Sequence, residues 1–313
     1  MAVFQEFFFT SSTKVNTIRA IKCIPDSAPK AIVQIAHGVA DHIDRYRDFM
    51  SFLAADGFLV VGNDHLGHGK TIRHPSEQGF FAYRDGWSHA VNDIHILSEI
   101  TKAEHPGLPY IFLGHSMGSF LIRTYIIEHP NSYDAVIISG TGHMNAAMAE
   151  AGYALATGMA KMKGPKHIST LIDNIAFGSY NKCFKPNRTK FDWISRDDEQ
   201  VDKYVADPLC GFIATASLFS DMMGGIKFIT DQKNISRVNI YKPVLFISGD
   251  KDPVGENGKA IEKAYKAFCD SGCHDVYMKL YPGGRQEMLN EINRSEVYTD
   301  IKNWINSRIQ KEA

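Results

Sequence analysis

Residues 110–118 read Tyr-Ile-Phe-Leu-Gly-His-Ser-Met-Gly, and the fold can be inferred from this segment outward. The apolar run 110–113 predicts a buried strand, and the helical pattern of 117–128 follows it directly. Ser116 stands between Gly114 and Gly118 in the pattern G-x-S-x-G. A serine on a sharp strand-to-helix turn needs small neighbours, and the turn directs the first helical amides at a developing oxyanion. This context predicts that Ser116 is a nucleophile.

Apolar runs and helical patterns alternate on both sides of this stretch. We predict further strands at 31–36, 58–62, 135–138, 244–247 and 276–280, and helices at 45–55, 86–102, 117–128, 258–270 and 296–310. Several of these strands are apolar without alternation, as in a parallel sheet covered by helices on both faces. An antiparallel hairpin at 4–10 and 14–23 precedes them. The pattern predicts an α/β fold with a mostly parallel, eight-stranded sheet flanked by helices.

The alternation stops between residues 141 and 230, where helical patches and large apolar side chains replace it. We predict a core formed by 1–140 and 231–313, with 141–230 inserted as a helical cap over the carboxyl ends of the strands, where open α/β sheets bind ligands. Met and aromatic residues of a cap form its core more often than they contact a ligand. The candidates for substrate contact are Phe177, Phe184, Trp193, Phe212, Phe219 and Met222.

The loop after the predicted strand 31–36 begins His37-Gly38-Val39. A glycine at this bend allows the amide of Val39 to turn towards the nucleophile. The amides of Val39 and Met117 are therefore the predicted oxyanion hole. We expect His37 and His42 to be structural rather than to carry protons, and His37 and His115 lie close enough to the predicted site to be candidates for substrate contact.

A second loop, Gly249-Asp250-Lys251-Asp252, follows the predicted strand 244–247. An acid in this position can orient a catalytic imidazole and stabilise its charge. Asp252 fits the usual loop geometry better, whereas Asp250 is nearer to the strand end and is expected to be structural. We therefore predict Asp252 as the acid.

Together these motifs resemble those of α/β-hydrolases of the monoacylglycerol lipase and lysophospholipase-like group, which also contains small esterases and serine aminopeptidase-type members. The resemblance covers nearly the whole chain. It includes His37-Gly38, the turn 64–71, the motif around Ser116, the cap phrases 191–193 and 207–211, the Asp252 loop and the exit 281–291. It implies an α/β-hydrolase fold, no metal or organic cofactor, and a small-molecule acyl ester such as a monoacylglycerol or lysophospholipid as substrate.

The chain departs from this family at one position, because Gln286 stands where the resemblance implies the catalytic histidine. The order serine, acid, histidine requires a histidine after Asp252, and His274 is the only one. His274 precedes the predicted strand 276–280, which places it roughly 20 Å away at the other end of the sheet. His143 remains as a possible substitute base. The Gln286 amide can donate to Asp252 and accept from Ser116, but it is not basic enough to take a proton.

Two explanations of Gln286 stay open: a deliberate His-to-Gln replacement, or a natural variant with lost or altered hydrolysis. We favour the deliberate replacement, which gives an inactivated form, because the other catalytic-looking residues are intact. The main hypothesis is a serine hydrolase that cleaves carboxylic esters through a Ser116 acyl-enzyme, with strongly impaired activity in this chain. The alternatives are a non-catalytic ligand-binding or sensor protein, or an amidase or peptidase of the same fold.

Composition limits the other classes of function. Lys and Arg number 34 against 35 Asp and Glu, which gives a net charge of −1 and no general attraction for nucleic acid or anionic membranes. The sequence contains no apolar run long enough to insert stably in a membrane, but transient contact with a lipid surface is compatible with an apolar cap. Five dispersed cysteines suit a reduced cytoplasmic protein. The pair His65 and His68 lacks further ligands for zinc at useful spacing. The sequence leaves the oligomeric state open.

Overall fold

The computed structural model describes residues 3–309, which contain one eight-stranded sheet in the order β1-β2-β4-β3-β5-β6-β7-β8. The strands are β1 (Val3–Thr10), β2 (Thr17–Ile24), β3 (Ala31–Ala36), β4 (Phe58–Asn63), β5 (Tyr110–His115), β6 (Ala135–Ser139), β7 (Val244–Gly249) and β8 (Val276–Tyr281). Strand β2 is antiparallel to both its neighbours, whereas all pairs from β4 to β8 are parallel. The predicted mostly parallel sheet is confirmed.

Helices connect the parallel strands and cover both faces of the sheet. They are α1 (Arg47–Ala55), α2 (Gly86–Glu104), α3 (Met117–Glu128), α4 (Ala146–Lys163), α5 (Thr170–Phe177), α6 (Asp198–Ala206), α7 (Ala216–Thr230), α8 (Gln232–Ile235), α9 (Lys259–Asp270) and α10 (Arg294–Ile309). The predicted helix 45–55 begins instead as a 3₁₀ turn, Ile43–Tyr46, that leads into α1. Residue 310, at the end of the predicted helix 296–310, lies outside the described residues.

The central strands are buried over their whole length because the hydrophobic core lies on both sides of the sheet. On β5, Ile111 and Leu113 pack with α1 and α10, whereas Phe112 faces α2 and α3. Successive side chains of a strand point to opposite faces, so a strand covered on both sides must be apolar throughout. This explains why the predicted strands lacked a polar alternation.

Residues 141–230 contain helices α4 to α7. Helix α7 buries Leu218, Phe219 and Met222 and packs against α4 on one side and against α2 and α3 on the other. Helix α4 buries only Ala149 and Ala156 among its side chains, so most of its surface is accessible. The segment is therefore helical and lies on the core, and its division from the core at 141 and 230 stays a prediction.

A search of the helices within residues 3–309 found none that combines the length and the apolar character needed to cross a membrane.

Candidate active site

Ser116 occupies a strained turn between β5 and α3. Its backbone has φ 51° and ψ −121°, a conformation that costs a non-glycine residue about 1–3 kcal/mol. The turn also brings backbone segments very close together. A Cβ atom at Gly114 would lie 2.5 Å from the Gly118 carbonyl oxygen, and one at Gly118 would lie 2.0 Å from the Ala36 oxygen. Both glycines are therefore required sterically, as the motif predicted.

The loop after β3 packs directly against Ser116. A Cβ atom at Gly38 would lie 3.2 Å from the Ser116 Cβ. Val39, Met117 and Ser116 all line one cavity. Within residues 3–309, neither the Val39 nor the Met117 N–H donates a hydrogen bond. Two unpaired amide donors thus lie on the cavity wall beside Ser116, which suits the binding of an oxyanion.

Asp252 lies in the loop after β7 and is completely buried. Its carboxylate accepts hydrogen bonds from the Ser248 hydroxyl at 2.7 Å and from the Val254 N–H at 2.9 Å. Burial raises the pKa of Asp252 to about 6, although these hydrogen bonds act in the opposite direction. The alternative acid, Asp250, is only half-buried and accepts from the Gly283 N–H at 2.8 Å. The structure thus gives Asp250 a structural contact, while Ser248 is a partner of Asp252 that the sequence did not reveal.

Gln286 follows β8, lines the same cavity and is 1% exposed. Its Nε2 donates to the Gly140 carbonyl at 3.0 Å, and within residues 3–309 its Oε1 has no hydrogen-bond partner. The predicted bridge from Gln286 to Asp252 and Ser116 is therefore wrong. Gly140 has φ 55°, and a Cβ atom there would lie 3.0 Å from Nε2, so glycine permits the competing contact.

Neither His274 nor His143 can take the place of the histidine expected at position 286. His274 precedes β8, whose Val276 pairs with Val244 at the start of β7, whereas Asp252 follows the end of β7. His274 thus lies at the amino ends of the strands, whereas Asp252 lies at their carboxyl ends, as the length of the predicted strand indicated. His143 lines the cavity, but burial lowers its pKa to about 4, which makes it a weak base.

The cavity has a volume of about 1130 Å³ and lies between the carboxyl ends of the strands and the helices of 141–230. Ligand pockets usually occupy about 300–1,000 Å³, so the space suffices for a long apolar chain. The residues that were candidates for substrate contact and do line it are His115, Phe177, Trp193, Phe212, Phe219 and Met222. Ile175 and Ile226, which the sequence did not single out, also line the cavity.

Two of the candidates for substrate contact lie away from the cavity. The Phe184 ring packs under the Arg285 guanidinium, 4.3 Å from its centroid. His37 is completely buried, where its Nδ1 donates to the Gly38 carbonyl at 2.8 Å and its Nε2 accepts from the His65 N–H at 3.0 Å. Both contacts are structural, so the prediction of substrate contact is wrong for Phe184 and His37.

A charged cluster borders the cavity and was missed from the sequence. Arg45 donates to Asp41 at 3.0 Å and to Glu287 at 2.8 and 2.6 Å. Its guanidinium also lies over the Tyr204 ring, 4.7 Å from the centroid. Asp41, Tyr204 and Glu287 line the cavity. The one sequence signal was the spacing of Asp41 and Arg45, one helical turn apart, but nothing local indicated Glu287.

Comparison with known proteins agrees with this geometry. The sequence model of the family described as serine aminopeptidase, S33, matches residues 27–293. The chain is 29% identical to a monoacylglycerol lipase from Mycolicibacterium smegmatis, with 91% of each chain covered. It is 26% identical to a monoglyceride lipase homolog from monkeypox virus, covering 91% of this chain and 93% of the other. Among solved structures, a carboxyl esterase from Bacillus coagulans in complex with glycerol superposes with a TM-score of 0.91 at 28% identity, covering 99% of this chain and 100% of that one.

Proposed function

The chain belongs to the serine aminopeptidase (S33) family and is an α/β-hydrolase similar to monoacylglycerol lipases, and from this premise we propose that it is built to cleave acyl esters through an acyl-enzyme on Ser116. One observation carries the proposal. Ser116 stands on a strained turn beside two unpaired amides, in the same large cavity as Gln286. Strain of this kind persists where the surrounding structure enforces it, commonly at active sites.

In the competent form of this site, position 286 carries a histidine. The imidazole takes the proton of Ser116 as the hydroxyl oxygen attacks the ester carbonyl, and Asp252 stabilises the resulting imidazolium. The amides of Val39 and Met117 hold the negative oxygen of the tetrahedral intermediate. The alcohol leaves with the proton, and water then cleaves the acyl-enzyme by the same steps.

Gln286 interrupts this sequence at the first proton transfer. An amide accepts hydrogen bonds but does not become protonated at neutral pH. When one member of such a triad is lost, only substrate binding and the oxyanion hole still accelerate the reaction. The rate enhancement that remains is about 10³–10⁴-fold over the reaction in water. We therefore expect strongly impaired hydrolysis in this chain.

The cavity walls support a monoacylglycerol or lysophospholipid-like substrate. The apolar wall formed by α4, α5 and α7 suits one acyl chain, so we propose that 141–230 acts as the cap. Asp41, Tyr204 and Glu287 also line the cavity and make part of its wall polar, which suits the hydroxyls of an alcohol headgroup. Because Arg45 already pairs with Asp41 and Glu287, these carboxylates are less available to a substrate ammonium, which favours an ester over a peptide with a free amine.

The mouth of the cavity is apolar, which supports transient contact with a lipid surface. Met148 and Ile175 line the cavity and yet are 57% and 62% exposed. Exposed apolar side chains around a cleft are typical of surfaces that meet lipid or protein. We propose that a monoacylglycerol enters here from a lipid aggregate. Replacing both residues with Ser should weaken sedimentation with phosphatidylcholine vesicles, while an unchanged bound fraction would contradict this route.

The function is tested by assaying the chain and Gln286→His with a monoacylglycerol and a short p-nitrophenyl ester. We expect the substituted protein to hydrolyse both, and Gln286→His with Ser116→Ala to hydrolyse neither. If Gln286→His gains no activity, the scaffold is not an ester hydrolase. If the unsubstituted chain is already fast and Ser116→Ala abolishes that activity, the chain contains another base.

One observation favours a second function, the binding of a ligand without turnover. The Oε1 of Gln286 is buried without a partner at the cavity wall, and an unpaired buried acceptor costs about 1–3 kcal/mol. A ligand hydroxyl that donates to Oε1 would recover this energy. In that case a monoalkylglycerol ether should bind the chain at least about tenfold more tightly than Gln286→Leu by calorimetry. Equal affinities would rule out this role of Gln286.

A further inference from the structure

A histidine, a carboxylate and a thiol from distant parts of the chain meet beside the loop that follows β3. His42 lies in that loop, Asp207 follows α6, and Cys210 comes three residues later. The His42 Nε2 and the Asp207 Oδ2 are 2.8 Å apart, and the ligand atoms of all three residues lie within 4.8 Å of one another. Within residues 3–309, this is the one group of three such side chains close enough to share a metal ion.

The charges around Cys210 favour a cation. The charged groups that act most strongly on its thiol are the carboxylates of Asp41, Asp207 and Glu287 and the guanidinium of Arg45. Arg45 is held by Asp41 and Glu287. Negative charge therefore exceeds positive charge, and Asp207 is the carboxylate not paired with Arg45. At short range in a partly buried site, this excess attracts a divalent ion.

The backbone holds the ligands in place without a metal. The Gly211 N–H and the Tyr204 hydroxyl both donate to the Ala40 carbonyl at 3.0 Å, which fixes the segment 207–211 against the loop after β3. The Leu209 N–H donates to Asp207 Oδ1 at 2.8 Å and leaves Oδ2 directed at His42. The Asp207 side chain is 30% exposed, so an ion can enter from solvent. Ligands positioned in this way lose little freedom when a metal binds.

We propose that His42, Asp207 and Cys210 form a Zn²⁺ site, with Nε2, Oδ2 and Sγ as ligands and water in the fourth position. A nitrogen, oxygen and sulfur donor set suits tetrahedral Zn²⁺. On binding, the His42–Asp207 hydrogen bond is replaced by two metal bonds, and the His42 Nε2 proton is exchanged through solvent for one on Nδ1, which leaves a neutral imidazole with a free Nε2 lone pair. The Cys210 S–H bond also breaks, and its proton passes to solvent. The ion would then join the loop that carries Val39 to the segment 207–211.

No local pattern in the chain indicated this site. We expected no metal because the only histidine pair considered, His65 and His68, lacked further ligands. His42 and Asp207 are 165 residues apart, so their proximity arises only from the fold. The proposal is independent of the proposed function, because it concerns binding and is tested without a substrate.

The full chain is titrated with Co²⁺ in metal-free buffer, and Zn²⁺ binding is measured by competition with a chromophoric chelator. We expect one ion per chain and a thiolate-to-cobalt charge-transfer band, because Co²⁺ occupies zinc sites and reports sulfur ligation. Cys210→Ser should abolish the band and weaken Zn²⁺ binding by about 100-fold. The matched control, Cys183→Ser, removes an exposed cysteine and should change neither result.

Asp207→Asn is a second variant in case the cysteine variant misfolds, since Asp207 is only partly buried and Asn retains the oxygen that accepts from the Leu209 N–H. It should also weaken Zn²⁺ binding by at least tenfold while leaving the circular dichroism unchanged. The proposal is overturned if the unsubstituted chain shows no charge-transfer band. It is equally overturned if Cys183→Ser removes the band, or if folded Asp207→Asn binds Zn²⁺ as tightly as the unsubstituted chain.

Discussion

Two buried polar clusters in this protein respond to burial in opposite directions. In the cluster of His37, His65 and His68, burial lowers the imidazole pKa values, to about 4 for His68. In the cluster around Asp252, burial raises the carboxyl pKa to about 6. Both shifts favour the neutral form, since a low-dielectric interior penalises charge. A neutral imidazole packs and donates a hydrogen bond, but a neutral carboxyl group cannot stabilise a catalytic cation.

The difference shows that a catalytic base depends on where a histidine lies and not on how many histidines the chain contains. The chain has 13 histidines, and three of them are buried together in the turn 64–71 and the loop after β3. Position 286, beside the cavity, holds Gln286 instead. A histidine there would become cationic during the reaction and would draw the pKa of Asp252 down. Substitutions in each cluster therefore test whether burial has opposite effects on the pKa values of the histidines and of Asp252.

The largest expected effect comes from removing the nucleophile. In the Gln286→His background, Ser116→Ala should lower kcat for a short ester by about 10⁶-fold, because the acyl-enzyme cannot form. Ser179→Ala, which removes another serine of the cavity wall, is the control and should change kcat less than about threefold. Comparable losses in both variants, measured by steady-state kinetics, would show that Ser116 is not the nucleophile.

The next largest effect concerns the acid. In the same background, Asp252→Asn should lower kcat by about 10³–10⁴-fold, because the imidazole loses its orienting carboxylate. Asp250→Asn affects a half-buried residue in the same loop and should lower kcat less than about tenfold. If kcat fell further in Asp250→Asn than in Asp252→Asn, Asp250 would be the carboxylate that orients the imidazole.

A smaller effect on stability is expected at Asp252 in the unsubstituted chain. Its folded pKa of about 6 exceeds the ordinary 3.8, so the folded state binds the extra proton and stability falls as pH rises from about 4 to 6. Asp252→Asn should therefore raise the free energy of unfolding at pH 7.5 by on the order of 2 kcal/mol, and by almost nothing at pH 4. Urea denaturation measures both values. Destabilisation at pH 7.5 would mean that the carboxylate is well solvated or paired.

The smallest expected effect is on the pH dependence of stability and comes from the cluster of His37, His65 and His68. Its direction is opposite to that expected for Asp252. The folded pKa of His68, about 4, lies below the ordinary 6.5, so the unfolded state binds the proton and stability falls as pH decreases from 6.5. Between pH 6.5 and 5.5, His68→Gln should make the decrease in the free energy of unfolding smaller by about 1 kcal/mol, because one titrating group is removed. The exposed control His74→Gln should leave the loss unchanged. If His68→Gln also leaves it unchanged, His68 does not resist protonation.

Local patterns predicted the fold and indicated Ser116 as the candidate nucleophile, because both inferences depend on short segments. The apolar runs identified the strands, and the two glycines around Ser116 indicated a turn that the structure shows to be sterically restricted. The contacts of Gln286 could not be predicted, since the accepting carbonyl at Gly140 is 146 residues away. The pairing of Arg45 with Glu287 spans 242 residues and likewise follows only from the folded sheet.

We infer that this site has a nucleophile in Ser116 and lacks only the base that would activate it. The most direct measurement is the rate at which an alkyl phosphonofluoridate labels Ser116, followed by intact mass spectrometry at pH 7.5. We predict a single adduct that forms at least about 10³-fold faster in Gln286→His than in the unsubstituted chain, and no adduct when Ser116→Ala is added. Equal labelling rates with Gln286 and with histidine at that position would contradict the claim.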